Sequence, residues 1–128
     1  SVDHCTHLTD ADVAALAASE TVATVLPACD LSTRAPLAPA RSLLDAGAQL
    51  AIASNCNPGT SYTSSLAFCV ATAVLQMKLT VDEAIRAATL GGAKALGDFV
   101  QAGQVLATMQ VQTLLAQQHL DSGQRVCW

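Results

Sequence analysis

The apolar positions of this chain fall into short continuous runs that alternate with longer helical stretches over its first 97 residues. Val2 to Cys5 closes one such run. Thr21 to Leu26 is a second, β-branched and stopped by Pro27, and Gln49 to Ala53 is the third. Short runs without polar alternation are the pattern of strands covered on both faces, as in a parallel sheet. The stretches between them carry helix end signals. Thr9 suits the N-cap of a helix over Asp10 to Ala18, with Asp10 and Asp12 in the first turn where the backbone dipoles favour anions. Pro39 suits the first turn of a helix over Ala40 to Ala46, and Gly47 its C-terminal stop. Ser65 to Met77 reads as a third helix. Thr80-Val-Asp-Glu83 has both ends of a capping box for a fourth, running through Ala88. Ala28 to Pro36, which contains Arg34, reads as a loop. Gly91-Gly92 reads as a break, with one more turn over Ala93 to Leu96.

The order is therefore β-α-β-α-β-α-α, with connections short enough for parallel crossovers. This is an α/β pattern of about three parallel strands with flanking helices, and it fits a doubly wound sheet or a slice of a (β/α) barrel. Three such strands alone leave two edges unpaired and one face uncovered, which parallel sheets tolerate poorly. Another copy or a partner chain is the expected cover. Residues 1–97 form one segment. From Asp98 to Trp128 the texture changes to a Gln-rich tail, where Val105, Leu106, Met109, Leu114 and Leu115 fit a single helix and no chemistry stands out.

Chemistry gathers where the third strand ends. Ser54-Asn-Cys-Asn-Pro-Gly-Thr60 drops apolar character at once and bends around Pro58 and Gly59 before a helix begins. A buried strand running into a polar loop and then a helix is where α/β proteins place their sites.

Composition narrows the picture. Apolar residues make up 52% and charged ones 12%, against roughly 25% charged in ordinary soluble domains. Such a chain has its helices packed closely on something. The net charge is −4, and the six Lys and Arg are scattered, which excludes a nucleic-acid surface. No apolar run nears the ~20 residues of a membrane span, and Ser1-Val-Asp-His-Cys5 lacks the features of a signal peptide. The five cysteines are odd in number with no C-x-x-C pair. That pattern points to a reducing, cytoplasmic setting with buried thiols acting as small hydrophobes.

Three stretches resemble the imidazolonepropionases, metal-dependent amidohydrolases of histidine degradation with a TIM-type barrel. Ser1-Val-Asp-His4 is similar to that family's sixth-strand S-x-D-H. Ser54-Asn-Cys-Asn-Pro-Gly-Thr60 is similar to its eighth-strand D-x-N-P-G-[ST]. Thr80 to Thr89, with Gly91 to Gly97, is similar to the helices that follow. The resemblance covers residues 1–97 and implies strands six to eight of the barrel, in its C-terminal part. It implies a Zn or Fe cofactor and a small-molecule substrate, imidazolone propionate, whose ring is hydrolytically opened to N-formimidoyl-glutamate. Carried over, His4 takes the catalytic place beside the carbonyl, and Asn57, Gly59 and Thr60 take the substrate-binding loop. Asn55 stands at the family's metal-binding Asp. A neutral amide is a poorer ligand than a carboxylate and cannot accept the water's proton. The first-strand H-x-H pair and the fifth-strand His and Glu have no counterparts in a chain opening at strand six, so hydrolysis by this chain alone is not expected.

Residue by residue, plainer readings stand beside these. His4 also fits an inert strand-end histidine, His7 a solvated one, and Asn57 to Thr60 simple turn punctuation. Arg34 follows the second strand on the side of the site, where it suits a substrate carboxylate; a lone Arg also suits an ordinary surface. Two other readings of the whole remain: a non-catalytic assembly or binding module that uses the sheet edges and tail, and one half of an enzyme supplied in two pieces.

Overall fold

The computed structural model describes residues 1–97, and the readings of the tail from Asp98 lie outside the described residues. Strands β1 (Val2–Asp3), β2 (Val22–Val25) and β3 (Gln49–Ile52) form one parallel sheet in the order β1-β2-β3. Helix α1 (Asp10–Ala17) joins the first two strands, and α2 (Pro27–Thr33) and α3 (Ala40–Asp45) join the second pair. Helices α4 (Leu66–Gln76) and α5 (Val81–Arg86) follow, then a π turn (Ala87–Gly91) and α6 (Gly92–Ala95). The α/β architecture expected from the alternating runs is present.

Register decides which side chains meet. Asp3 lies opposite Thr24 and Thr24 opposite Ala51, so these three share a rung and a face. The neighbouring rung, Ala23 and Leu50 with Val25 and Ile52 beyond it, turns the other way into a core with Leu43, Cys69, Ala73, Met77 and Ala84. Leu43, Val25 and Cys69 are wholly enclosed there. Four of those residues are Ala or Cys, so the helices approach the sheet closely. The low charge of the sequence has its physical reason in this packing.

The cap signals hold at atomic detail. Thr9 Oγ1 accepts the Asp12 N–H at 3.3 Å, and Asp12 Oδ2 accepts the Thr9 N–H at 2.8 Å. At α5, Thr80 Oγ1 accepts from Glu83 N at 3.2 Å and Glu83 Oε2 accepts from Thr80 N at 2.8 Å. Glu83 is also gripped by Arg41 Nη1 at 2.9 and 3.0 Å, while Arg41 Nη2 reaches Asp45 at 2.8 Å. The guanidinium thus straps α3 to α5. That grip, with the Thr80 bonds, holds the Glu83 carboxyl down at about 2.

Two sequence expectations are corrected. Residues 28–33 are helical, not loop: Pro27 ends β2 and opens α2 in its first turn, where a missing N–H costs nothing. Asp30, Ser32 and Thr33 hid that helix, because their propensity for it is modest. Nor does Gly91-Gly92 break the last helix. The winding loosens into the π turn and resumes in α6 without a gap. A Cβ at Gly91 would run into the Leu50 carbonyl oxygen and stand 3.0 Å from the Leu50 carbonyl carbon and 3.1 Å from Ala51 Cα. Glycine is there so that the turn can lie against the strand backbone. In a parallel ladder alternate residues bond to opposite sides, and Ala53 N–H bonds to Val25 O at 3.2 Å. Leu50 therefore turns its carbonyl to the outer edge of β3, and Gly91 covers it.

Candidate functional site

A parallel sheet presents the carboxyl ends of its strands on one rim, and here that rim carries His4 and Asn55. β1 is only two residues long because His4 (φ 70°) and Cys5 (φ 59°) both turn left-handed and stop pairing. Just beyond β3, Asn55 is left-handed as well (φ 49°). Such backbone is uncommon outside Gly, Asn and Asp, and it collects at functional sites. Both side chains line one hollow of about 400 Å³, with Asp3 and Thr24 on its strand wall and Ala95 and Leu96 facing them. His4 is exposed and Asn55 half-buried.

The loop after Asn55 is held by its own side chains. Asn57 Oδ1 accepts the N–H groups of Gly59 and Thr60, each at 2.8 Å. Asn57 Nδ2 donates to the Asn55 carbonyl and to Thr60 Oγ1 at 3.0 Å. Ser61 is fully enclosed, and its hydroxyl donates to the Ser54 carbonyl at 2.6 Å. Asn57 N–H to Ser61 O at 2.9 Å closes the turn. The backbone at 55 is thereby fixed from both sides, while the Asn55 side chain bonds to no other described residue and is left toward the hollow. Asn57 has spent its amide inside the loop, and so have the two N–H groups it accepts. Thr60 remains exposed.

Other expected site residues lie elsewhere. Arg34 caps the C-terminus of α2 in a left-handed conformation (φ 58°), exposed and outside the hollow. His7 is exposed in the turn before α1. Thr24, which reads in sequence as ordinary β-branched strand filling, lines the hollow, and Ser61, just past the Ser54–Thr60 stretch, anchors the loop that carries Asn55. Asp30, in the first turn of α2, is also buried. Burial lifts its carboxyl above the usual range, against the Ala38 N–H at 3.4 Å and the charge of His4.

A larger cavity of about 660 Å³ opens beside Leu44, Leu50, Leu90 and Gly91. It reaches the amino end of β3 at Gln49, the end opposite the rim, where parallel α/β folds do not place their chemistry. The smaller hollow is the candidate site.

The donor set does not suit a divalent metal by itself. Among the described residues no three His, Cys, Asp or Glu side chains converge, and the hollow offers the His4 imidazole, the Asp3 carboxylate and the neutral Asn55 amide, one donor short of a three-ligand His and carboxylate set. No described helix is long and apolar enough to cross a membrane.

No family model matches the chain. Curated relatives do. The chain is 77% identical over 96 residues to the imidazolonepropionase of Saccharopolyspora erythraea, which takes in 75% of this chain and 25% of that protein. The corresponding figures for Paenarthrobacter aurescens imidazolonepropionase are 64% over 110 residues, 76% and 27%. The chain thus spans about a quarter of the length of these relatives. Among solved structures, it is similar to a zinc-bound adenosine deaminase from Xanthomonas campestris, with a TM-score of 0.69, 30% identity, and coverage of 74% of this chain and 23% of that one. E. coli guanine deaminase gives 0.63 and 26% over the same shares.

Proposed function

We propose that this chain supplies the sixth-to-eighth-strand part of an imidazolonepropionase-like barrel, and that its rim residues serve hydrolytic opening of the imidazolone propionate ring. The observation that carries the reading is the shared hollow at the carboxyl end of the sheet, with His4 on one strand end and Asn55 on another. It joins a sequence likeness of 77% to a protein bearing that name. Residues 1–97 are the barrel segment and 98–128 a separate tail.

In this reading His4 stands beside the ring carbonyl and hydrogen-bonds the oxygen as it gains charge, a role an exposed imidazole at a strand end can fill. Asn57, Gly59 and the exposed Thr60 form the substrate loop of this reading, with the Thr60 hydroxyl bonded to Asn57. Arg34, exposed at the end of α2, serves the carboxylate arm only if the arm reaches past the rim. The zinc or iron of such enzymes would supply a polarised carbonyl and an activated water. The donors here do not hold it, because no three ligating side chains converge among the described residues and Asn55 lacks the charge.

Replacing the matching quarter of the Saccharopolyspora erythraea protein with residues 1–97 tests the proposal. With Asn55 the chimera is expected to hydrolyse imidazolone propionate at least ~10²-fold more slowly than the parent, as loss of a proton-transfer group does. Asn55→Asp in the chimera should restore the rate. A folded chimera that stays inactive with Asp at 55 refutes the reading.

A further inference from the structure

The wall of the hollow contains a polar atom that no described residue satisfies. Thr24 is 7% exposed, and its hydroxyl is buried without a hydrogen-bond partner. A buried hydroxyl left unpaired destabilises the fold, and a valine would fill the same volume without that cost. Yet Thr24 shares its rung with Asp3 and Ala51 and lines the same hollow as His4 and Asn55. The facing side is built from Gly92 and Ala95, which keep the space open. A hydroxyl both donates and accepts, whereas the Asp3 carboxylate only accepts. Side by side on one rung, the two complement a flat ring that offers N–H groups next to a carbonyl. We propose that Thr24 is a specificity-determining residue of this hollow, hydrogen-bonding a cyclic amide or cyclic urea whose carbonyl faces His4. This rests on the hydrolase reading and deepens it, adding to the rim residues a contact on the strand itself.

The probe is imidazolidin-2-one, a cyclic urea with two ring N–H groups, titrated into the 128-residue chain and followed by NMR shifts of residues 3, 4, 24 and 55. Wild type is expected to bind saturably, and more tightly than cyclopentanone, which has the ring and carbonyl but no N–H. Thr24→Val should raise the unfolding midpoint while weakening the cyclic urea about fivefold, the worth of one net hydrogen bond. Thr24→Ser should bind within about twofold of wild type, since it keeps the donor and acceptor. Equal affinity in wild type and Thr24→Val would mean that the hydroxyl makes no contact with the ring, and the proposal falls. No saturable binding by wild type, or no preference over cyclopentanone, also overturns it. The chimera experiment reads hydrolysis and the state of residue 55, so its outcome separates failure of the hydrolase reading from failure at Thr24.

Discussion

Gly91→Ala tests the packing that closes the outer edge of β3. A methyl group at 91 meets strand backbone: the Leu50 carbonyl oxygen, with the Leu50 carbonyl carbon at 3.0 Å and Ala51 Cα at 3.1 Å. Flexible side-chain ends yield cheaply, but a hydrogen-bonded strand does not. The π turn must therefore back away by roughly 1 Å, and a gap of that size forfeits a quarter to a half of each contact it opens. Ala87, Ala88 and Thr89 are buried in that turn, so the loss is spread over several side chains. Overpacking of this kind costs about 1–3 kcal/mol, and a backbone obstacle belongs at the upper end. Alanine's better helix propensity returns ~1 kcal/mol. The expected net loss is about 2 kcal/mol. Gly92→Ala supplies the control, because a Cβ there meets nothing within 4 Å and the residue sits in helical backbone (φ −60°). It should gain roughly 0.5–1 kcal/mol. Urea unfolding followed by circular dichroism measures both, with unchanged m-values required for the comparison. If Gly91→Ala is as stable as wild type, or if the two variants shift the midpoint alike, the close approach of turn and strand is wrong.

The remaining predictions concern the loop, the caps and pH. Asn57→Ala should leave global stability within about 1 kcal/mol, because the bonds it loses are local and partly exposed; amide exchange at Gly59 and Thr60 should nonetheless accelerate, and unchanged protection would contradict the Asn57 cradle. Ser61→Ala should cost about 1 kcal/mol by removing the bond from the enclosed Ser61 hydroxyl to the half-buried Ser54 carbonyl, read from thermal unfolding. The Glu83 carboxyl is depressed from 4.5 to about 2 in the fold, so its contribution is fully present above about pH 4.5 and lost as pH falls toward 2. Stability measured across that window should decline less in Arg41→Met than in wild type. An identical decline would show that the Arg41 strap does not hold the carboxylate.

Much of this organisation was readable from residues alone, for reasons that can be named. β2 and β3 showed themselves as short apolar runs because they are buried on both faces, whereas Val2 and Asp3 of β1, expected to be buried as well, are exposed. Thr9 with Asp12, and Thr80 with Glu83, announced their helices because capping is a local interaction between residues three apart. What stayed hidden depends on partners distant in sequence. Gly91 reads as a breaker until Leu50, 41 residues earlier, is known to lie beneath it. Pro27 reads as the end of a strand, and the same restriction on its backbone also begins a helix. Thr24 has ordinary strand chemistry in sequence, and only the register that sets it beside Asp3 and Ala51 makes its hydroxyl conspicuous.

The same distinction bears on what Asn55 means. Were the left-handed backbone at 55 maintained by the Asn side chain itself, replacing it would disturb the loop, and its identity would be a structural matter. The bonds run otherwise. Asn57 Nδ2 holds the carbonyl of residue 55, Ser61 Oγ holds the carbonyl of residue 54 at 2.6 Å, and the turn closes between Asn57 and Ser61. The Asn55 side chain contributes none of this. Aspartate tolerates left-handed backbone as asparagine does, and at this position its charge would point into a hollow already open to solvent at His4. Asn55→Asp is therefore expected to leave the unfolding midpoint of the chain within about 0.5 kcal/mol of wild type, as substitutions outside a packed or bonded environment do. A larger loss would place the amide in the scaffold of the loop. An unchanged midpoint leaves the loop built to present whatever stands at 55, with the difference between amide and carboxylate expressed in ligand chemistry and not in folding.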